Sequence, residues 1–114
     1  MPKSIPAWWF PRRGDVCLVL LDKYRPALVI SADMLNRHAL DVCIVPITSV
    51  QHHRFFLRVP LGPGEGGVKR ASWIKCDQVT TLEKALIKYP PLGRLSAATL
   101  TRVETAIKAA LQLP

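Results

Sequence analysis

One short segment limits the fold more than any other: Pro26 stands directly before the apolar run 27–30, Ala-Leu-Val-Ile. An unbroken apolar run of this length, rich in branched residues, is typical of a buried strand. Proline has no backbone N–H to donate to a ladder, so we expect Pro26 at the first position of that strand or at a sheet edge. The segment therefore predicts a strand over 26–31, with Arg25 in the loop that enters it.

A second apolar run, 42–47, ends in the hydroxyl residues Thr48 and Ser49. We predict that it forms a partner strand of the first. Arginine suits phosphate because its planar fork donates two parallel hydrogen bonds, and a threonine hydroxyl can donate a further one. A guanidinium at the end of one strand and hydroxyls at the end of the other therefore indicate an anion site.

The remaining apolar segments are short and separated by glycines, prolines and polar turns, which predicts further strands. The predicted strands are 16–21, 26–31, 42–47, 55–59, 68–76 and 78–82. Only the segment 96–112 has the pattern of a long helix, with Ser96 as its N-cap. Its apolar stripe is Leu100, Val103, Ile107 and Leu111. The sequence thus predicts a mostly β domain, a small curled antiparallel sheet or barrel with the helix packed on its outside.

Three other segments carry weaker signals. Residues 1–11 hold three prolines and the run Trp8-Trp9-Phe10, which predicts an irregular lead-in. We expect the aromatic run to pack across the barrel or against a partner chain, with base stacking as the second hypothesis. Residues 33–38 predict one helical turn capped by Ser31 or Asp33. Four glycines and two prolines over 60–67 predict a mobile loop without regular structure.

At 114 residues, of which 49% are hydrophobic and 21% charged, the chain predicts one globular domain spanning 1–114. No apolar run approaches the roughly 18 residues that a membrane helix needs, and the N-terminus does not read as a signal peptide. The three cysteines are widely spaced in apolar contexts. They are typical of small buried hydrophobic residues in a reducing compartment, so we expect a cytoplasmic protein.

Charge is the most informative part of the composition. Sixteen Lys and Arg against eight Asp and Glu give a formal net charge of +8. A short chain this basic favours a polyanionic partner, nucleic acid before a membrane. The alternative is a basic surface kept for solubility.

The residue pattern disfavours several enzyme classes. No cysteine lies near a histidine at a zinc-ligand spacing, and the acids are too scattered for a magnesium site, so we expect neither a metal nor a cofactor. Metal-free cleavage of RNA stays open because the 2′-hydroxyl supplies the nucleophile, and the protein needs only to stabilise charge and move protons. Arg25 suits the electrostatic role. His52 and His53 are candidates for the base by their ordinary pKa, or are exposed loop histidines.

Five blocks of the sequence, in order, resemble blocks of the MazF/PemK toxin family. They are 13–16, 25–31, 45–49, 72–82 and 92–96. The resemblance covers about Arg12 to Leu113. It implies an SH3-like barrel of five to seven strands, as in the CcdB, PemK and MazF toxins, and a homodimer. It also implies a toxin of a type II toxin–antitoxin system that cleaves single-stranded RNA at short sequences without a metal. A cognate antitoxin with an acidic tail would inhibit it by covering the RNA groove.

Within that family the arginine and threonine of the second and third blocks are the active-site pair, and they match Arg25 and Thr48. Many relatives carry a longer glycine-containing loop between the first two strands, where this chain has only 22–24. A shorter rim is expected to open the groove. We further predict RNA contacts from polar, basic and aromatic residues around the pair. They are Lys23, Tyr24, Ser49, His52, His53, Arg54, Lys69, Trp73 and Lys75.

Each assignment has a structural alternative. Arg25 would form a salt bridge with Asp15 or Asp22, Thr48 would cap the end of its strand, and Trp73 would pack in the core. Two other functions remain open for the same barrel. One is a module that binds RNA or protein without cutting, and the other is a gyrase-directed toxin of the CcdB type.

Overall fold

Seven strands and two α-helices make up the part of the chain that the computed structural model describes, residues 5–51 and 57–114. The strands are β1 Asp15–Leu20, β2 Tyr24–Val29, β3 Asp41–Thr48, β4 Arg58–Leu61, β5 Ser72–Lys75, β6 Thr80–Glu83 and β7 Gly93–Arg94. The helices are α1 Asp33–His38 and α2 Ala97–Leu111, and two short 3₁₀ turns lie at Glu65–Gly67 and Lys84–Leu86. The predicted mostly β class with a C-terminal helix is confirmed.

The strands form one antiparallel sheet in the order β4-β5-β3-β2-β1-β7, with β6 branching from β3. β3 pairs with β6 over 41–44 and with β5 over 47–48. Pro46 lies between these two stretches, where proline's missing N–H costs no ladder hydrogen bond. β3 is therefore shared by two sheet sections, and the sheet curls as predicted.

Pro26 is the third residue of β2, not the first, so Arg25 lies within the strand and the predicted boundary is wrong. The carbonyl of Leu18, opposite Pro26, accepts a hydrogen bond from Lys88 N at 2.8 Å on its other side. The N–H and C=O groups of one strand residue point to the same side. Those of Leu18 point away from β2, so Leu18 and Pro26 form a pair without hydrogen bonds between them. Pro26 instead faces the β3 side, where the ladder begins only at Ala27.

Two hydrophobic clusters fill the curled sheet. The first is covered by α2 and consists of Val16, Leu28, Val45, Ile47, Val59, Leu61, Val68, Ile74, Cys76, Leu95, Val103 and Ala106. The second lies on the opposite face of the β1–β2–β3 section and consists of Cys17, Val19, Ala27, Val29, Val42, Ile44, Leu82 and Ile87. Helix α2 thus packs on the sheet face that carries the first cluster, to which its Val103 and Ala106 belong.

The aromatic lead-in packs against the second cluster. Trp9 contacts it, and the Trp9 ring meets the Tyr89 ring edge-on at a centroid distance of 5.1 Å. Phe10 lies beneath the guanidinium groups of Arg12 and Arg37, at 5.2 and 5.9 Å. Trp8 is 74% exposed. Trp9 therefore packs across the sheet, as expected, whereas Trp8 does not. Packing of Trp8 against a partner chain, or stacking on a base, stays a prediction.

Helix α2 begins as predicted and ends less buried than predicted. Ser96 is the N-cap, and its Oγ accepts a hydrogen bond from Thr99 N at 3.2 Å. Val103 is fully buried, whereas Leu111 is 52% exposed, so its assignment to the packed stripe is wrong. Leu111 is the last residue of α2, and the left-handed residue Gln112 follows it.

The helical turn over 33–38 is confirmed, but neither predicted cap is used. Its N-cap is Ala32, with no side-chain hydrogen bond. Ser31 Oγ instead accepts from Cys43 N at 3.1 Å, and Asp33 Oδ1 accepts from Arg13 N at 2.7 Å. Both polar side chains hold distant segments together.

The prediction that 60–67 has no regular structure is wrong at both ends of the segment. Residues 60 and 61 complete β4, and Glu65–Gly67 forms a 3₁₀ turn packed against β7. The predicted strand 68–76 is only 72–75, and the predicted strand 55–59 begins at Arg58, with 55 and 56 outside the described residues.

Cys17, Cys43 and Cys76 are free thiols, and the first and last are buried, as predicted. Burial raises the pKa of Cys17 to about 12 and that of Cys76 to about 11. Neither helix of the described residues has the length and apolar character that crossing a membrane requires.

Among the glycines, Gly67 has the least space for a side chain. Its φ is +83°, and a Cβ there would lie 2.1 Å from the Leu92 carbonyl oxygen. We expect Gly67→Ala to lower the free energy of unfolding by about 2–4 kcal/mol, through a strained φ and a backbone clash. Gly62 has open space around it, so Gly62→Ala should change stability by less than about 0.5 kcal/mol. Urea unfolding of both variants checks this, and equal midpoints would contradict it.

Candidate functional site

Arg25 and Thr48 meet where strands β2 and β3 separate. The β2–β3 ladder pairs Ala27 with Pro46 as its last pair. Continuing that register by two residues brings Arg25 opposite Thr48, on the same face of the sheet. The next hydrogen-bonded pair would need a donor from Pro26, which has none, so the ladder ends and the strands part. The cleft between the two side chains is a consequence of that proline.

A cavity of about 460 Å³ occupies this cleft. It is lined by Leu18, Lys23, Tyr24, Arg25, Pro26, Ile47, Thr48, Ser49, Val50, Gly67, Val68, Lys69, Arg70, Ser72 and Leu92. The structure thus brings together Arg25, Thr48 and four predicted contact residues, Lys23, Tyr24, Ser49 and Lys69.

Trp73 and Lys75 do not line the cavity. Trp73 is half-buried and pairs with Thr48 in the β3–β5 register, so it lies beside the site rather than in it. Lys75 is two residues farther along β5, opposite Arg58. His52, His53 and Arg54 lie outside the described residues.

Arg70 lines the cavity and was not among the predicted site residues. The sequence predicted a strand over 68–76, which made Arg70 part of that strand. β5 in fact begins at Ser72, and Arg70 belongs to the bend before it. The pair Lys69-Arg70, one residue after the glycine-rich segment 60–67, is the signal that could have identified it.

The charged residues that line the cavity are all positive. Four of its lining residues, Lys23, Arg25, Lys69 and Arg70, are cationic, and none is acidic. A concave site lined by one sign of charge concentrates ligands of the opposite sign. The cavity therefore suits a polyanion.

Asp22 holds the guanidinium of Arg25. Arg25 Nε donates to Asp22 Oδ1 at 2.9 Å and Nη2 donates to Oδ2 at 3.1 Å. The hydrogen bond from Arg25 lowers the pKa of Asp22 well below its usual range, and the pair raises the pKa of Arg25. Of the two acids considered from the sequence, Asp22 is the partner, while Asp15 pairs with Arg94 at 2.6 Å.

The salt bridge with Asp22 uses only some of the hydrogen-bond donors of Arg25. A guanidinium has five N–H donors, and Asp22 takes two of them from one edge. The Nη1 edge keeps its two donors, at a position fixed by the bidentate bond. Because both side chains are largely exposed, the pair contributes little to stability, and its main effect is to orient Arg25.

Thr48 caps the end of β3 and keeps a donor. Its Oγ1 accepts a hydrogen bond from Val50 N at 3.1 Å. The predicted alternative, that Thr48 caps the end of its strand, is therefore correct. The cap uses a lone pair of Oγ1, and the hydroxyl hydrogen can still be donated to an anion. The capping bond fixes the oxygen in the cleft opposite Arg25.

Tyr24 forms the rim of the cavity. It is 52% exposed, and Lys88 Nζ lies 5.2 Å from its ring centroid. A cation over one face holds the ring in place and leaves its other surface to a ligand.

A second cavity, of about 540 Å³, shares no lining residue with the cleft. It is apolar and lined by Ile5, Trp9, Pro11, Leu40, Asp41, Glu83, Lys84 and Ala85. It contains none of the predicted site residues. Within 5–51 and 57–114, no three His, Cys, Asp or Glu side chains come together as a metal site would need.

Comparison with known proteins gives a consistent set of relatives. Residues 12–111 match the model of the family described as PemK-like, MazF-like toxin of type II toxin–antitoxin system. Endoribonuclease MazF1 of Mycobacterium bovis is 32% identical over 91 residues, which cover 79% of this chain and 81% of that protein.

Solved structures agree with the sequence relatives. The Mycobacterium tuberculosis toxin MazF-mt6 superposes with a TM-score of 0.80 at 25% identity, covering 88% of this chain and 98% of the other. An endoribonuclease from a mycobacterial species, solved in complex with its cognate antitoxin, gives a TM-score of 0.80 at 30% identity, with 91% and 97% covered.

The Asp22–Arg25 pair gives a direct test of the site geometry. We expect the pKa of the Asp22 carboxyl to lie well below its ordinary value of about 3.9 and to return towards it in Arg25→Gln. Because the folded-state pKa is the lower one, the stabilisation exists above the unfolded pKa and is lost as pH falls through the folded pKa. Carbon-13 NMR titration of the carboxyl measures both. Lys23→Gln is the control and should leave the pKa low, since Arg25 is the main cause. An ordinary Asp22 pKa in the unsubstituted protein would contradict the pairing.

Proposed function

Because the chain belongs to the PemK-like, MazF-like toxin family of type II toxin–antitoxin systems, we propose that it is a toxin that cleaves single-stranded RNA as an endoribonuclease. The single observation that carries the proposal is the placement of Arg25 opposite Thr48 in a cation-lined cleft. The endoribonuclease relative at 32% identity supports the reaction class. We take 1–114 as one toxin domain acting in the cytoplasm.

The proposed reaction is an internal transfer at one phosphate, with no metal and no cofactor. The 2′-oxygen attacks the adjacent phosphorus as the 2′-hydroxyl loses its proton to a base. The bond from phosphorus to the 5′-oxygen breaks, and that oxygen takes up a proton. The products are a 2′,3′-cyclic phosphate and a new 5′-hydroxyl. His52 and His53 remain the candidate proton acceptors, and both lie outside the described residues.

Charge builds on the non-bridging phosphate oxygens during attack, and the site offers two donors for it. Arg25 presents its Nη1 edge, and Thr48 presents its hydroxyl hydrogen from across the cleft. Donors that are fixed before the reaction stabilise developing charge without reorganisation. Asp22 is a positioning residue because it acts only by holding the Arg25 fork.

The RNA strand flanking the cleaved bond has room in the cleft. β1 ends at Leu20 and β2 begins at Tyr24, so the turn between them is as short as the sequence predicted. This low rim leaves the cavity open on one side. Lys23, Lys69 and Arg70 supply charge for neighbouring phosphates, and the exposed ring of Tyr24 supplies a stacking surface for a base.

The same charges suit a protein inhibitor. One structural relative was solved with its cognate antitoxin bound. We propose that an antitoxin with an acidic tail binds this chain by placing carboxylates over the cations of the cleft, where it excludes RNA. The functional form that we propose is a homodimer.

Cleavage of a long single-stranded RNA in EDTA tests the proposal. We expect Arg25→Ala to lower the cleavage rate by about 10²–10³-fold, because a fixed transition-state donor is lost. Arg25→Lys should restore only a small part of it, since an ammonium lacks the planar fork. Thr48→Val should lower the rate by about 10–100-fold, and Thr48→Ser should keep most of it. Mapping of the cut ends should give cyclic phosphates.

Lys108→Ala is the control, because Lys108 is exposed on α2 and lies outside the cavity. Full activity of a folded Arg25→Ala variant would overturn the assignment. RNA binding by the unsubstituted protein without cut products would instead assign the barrel to RNA binding alone, and gyrase inhibition with intact RNA would assign it to the CcdB type of toxin.

Asp22→Asn separates orientation from charge. Losing the carboxylate frees the Arg25 fork to move and makes the cleft more positive. We therefore expect kcat to fall by about tenfold while the affinity for RNA stays equal or rises. Single-turnover cleavage and fluorescence anisotropy measure the two quantities. An unchanged kcat, or weaker binding, would show that Asp22 does not act through Arg25.

A further inference from the structure

The first residue of β4, Arg58, has an unusual environment. Its Nε and Nη1 atoms are buried and have no hydrogen-bond partner within residues 5–51 and 57–114. Buried donors without an acceptor cost free energy, and the cost is larger for a charged group. An arginine in this position is expected to bind an acceptor that the described residues do not supply.

Arg58 lines a cavity of about 300 Å³ between the edge strand β4 and helix α2. The other lining residues are Val59, Thr101, Arg102, Thr105, Ala106 and Ala109. The two alanines leave the space open, and the two arginines give it a double positive charge. None of the chain's eight acidic residues lines it. The cavity therefore suits an anion supplied from outside.

The sheet register connects this cavity to the cleft. Trp73 lies opposite Thr48, and Lys75 lies opposite Arg58. Trp73 and Lys75 are two residues apart on β5, so all four side chains leave the same face of the sheet. On this face, which is opposite the one that α2 covers, a strip runs from the Arg25–Thr48 cleft through the half-buried Trp73 to Lys75 and Arg58. At the edge strand β4, Arg58 also lines the cavity that Arg102 of α2 borders. This placement gives a role to Trp73 and Lys75, which the cleft itself does not use.

The length of the strip matches a few nucleotides. Arg58 is two strands away from Thr48 and two residues along, which corresponds to about 12 Å between Cα atoms. Successive phosphates are about 3.4 Å apart along the axis of a stacked strand and farther apart in an extended one. A strand with its cleaved phosphate in the cleft would therefore bring a phosphate to the cavity about two to four nucleotides away.

We propose that Arg58 and Arg102 form a phosphate subsite for the RNA that flanks the cleaved bond, with Trp73 and Lys75 guiding the strand between the cleft and this cavity. The proposal rests on the proposed function. An aromatic ring between cations is the arrangement that binds single-stranded nucleic acid, since a base stacks on the ring while the charges hold the backbone. A carboxylate peptide has no use for the ring, which favours RNA over an acidic protein segment.

The test is the salt dependence of RNA binding. The probe is a fluorescein-labelled 2′-O-methyl RNA of mixed sequence and about 12 nucleotides, which cannot be cut because the nucleophile is blocked. For single strands, each neutralised phosphate contributes about 0.7 to the slope of log Kd against log salt. We expect the double variant Arg58→Gln/Arg102→Gln to reduce that slope by about 0.7 and to weaken binding several-fold at low salt. A probe of about 2 nucleotides has its phosphate in the cleft and is too short to reach the cavity, so for it the variant and the unsubstituted protein should agree.

Lys108→Gln is the matched control, because it removes one exposed cation from the same helix on a different face. Far-ultraviolet circular dichroism and the unfolding midpoint establish that the variants are folded. If Arg58→Gln unfolds the protein, Arg102→Gln alone must still reduce the slope, since Arg102 is exposed on α2.

Each outcome separates this proposal from the one it rests on. If the slope is unchanged and the unsubstituted protein cleaves RNA, the proposed subsite is wrong and the proposed endoribonuclease activity stands. If the double variant reduces the slope but the unsubstituted protein does not cleave RNA, the subsite stands and the endoribonuclease activity is wrong. Equal losses for the short and long probes would place the two arginines at the cleft and contradict the strip. If the double variant keeps the RNA slope but no longer binds an oligoglutamate peptide, the cavity binds protein carboxylates instead.

Discussion

The whole site depends on one missing hydrogen-bond donor. Pro26 faces β3 at the position where the β2–β3 ladder would make its next hydrogen-bonded pair, and it has no N–H to give. The strands separate there, and Arg25 and Thr48 stand on either side of the opening. A proline inside a strand thus creates a polar cleft at the end of two otherwise buried strands, without a bulge or a long loop. Pro46 plays the corresponding part on the other edge of β3, where the ladder passes from β6 to β5.

The charges of the molecule are arranged around that opening. Arg25 is paired with Asp22 and still presents a free edge, because the carboxylate occupies only one side of the guanidinium. Arginines elsewhere are used for structure, as where Arg94 holds Asp15 and Arg13 holds Glu104. Six of the chain's sixteen Lys and Arg residues line the two cavities, and no acidic residue is part of either lining. Of these six, Arg25 is the one that forms a salt bridge within the described residues, to Asp22.

Local signals identified the elements and the central pair, but several boundaries were wrong for physical reasons. The strand at Ala27 and the helix after Ser96 were predictable, because apolar periodicity and a capping hydroxyl are properties of neighbouring residues. The strand that contains Pro26 was predicted to begin two residues too late, because a proline is tolerated inside a strand when its nitrogen faces a side without a ladder. The glycine-rich segment 60–67 was predicted to be mobile, yet Gly67 is held within a backbone contact with Leu92 that only a glycine permits. Arg70 was missed because its role depends on where β5 begins.

The sequence by itself determined the mostly β class, the terminal helix, the basic character and the identity of Arg25 and Thr48 as the candidate pair. These follow from residue types, short-range spacing and a resemblance carried by five ordered blocks. Three other facts required the tertiary structure. Asp22, and not Asp15, forms the salt bridge with Arg25. Trp73 and Lys75 lie beside the cleft and not in it, and Arg58 and Arg102 line another cavity together. Those facts depend on strand register and on the packing of α2 against β4. Both arise from contacts between residues far apart in the chain, which local pattern does not encode.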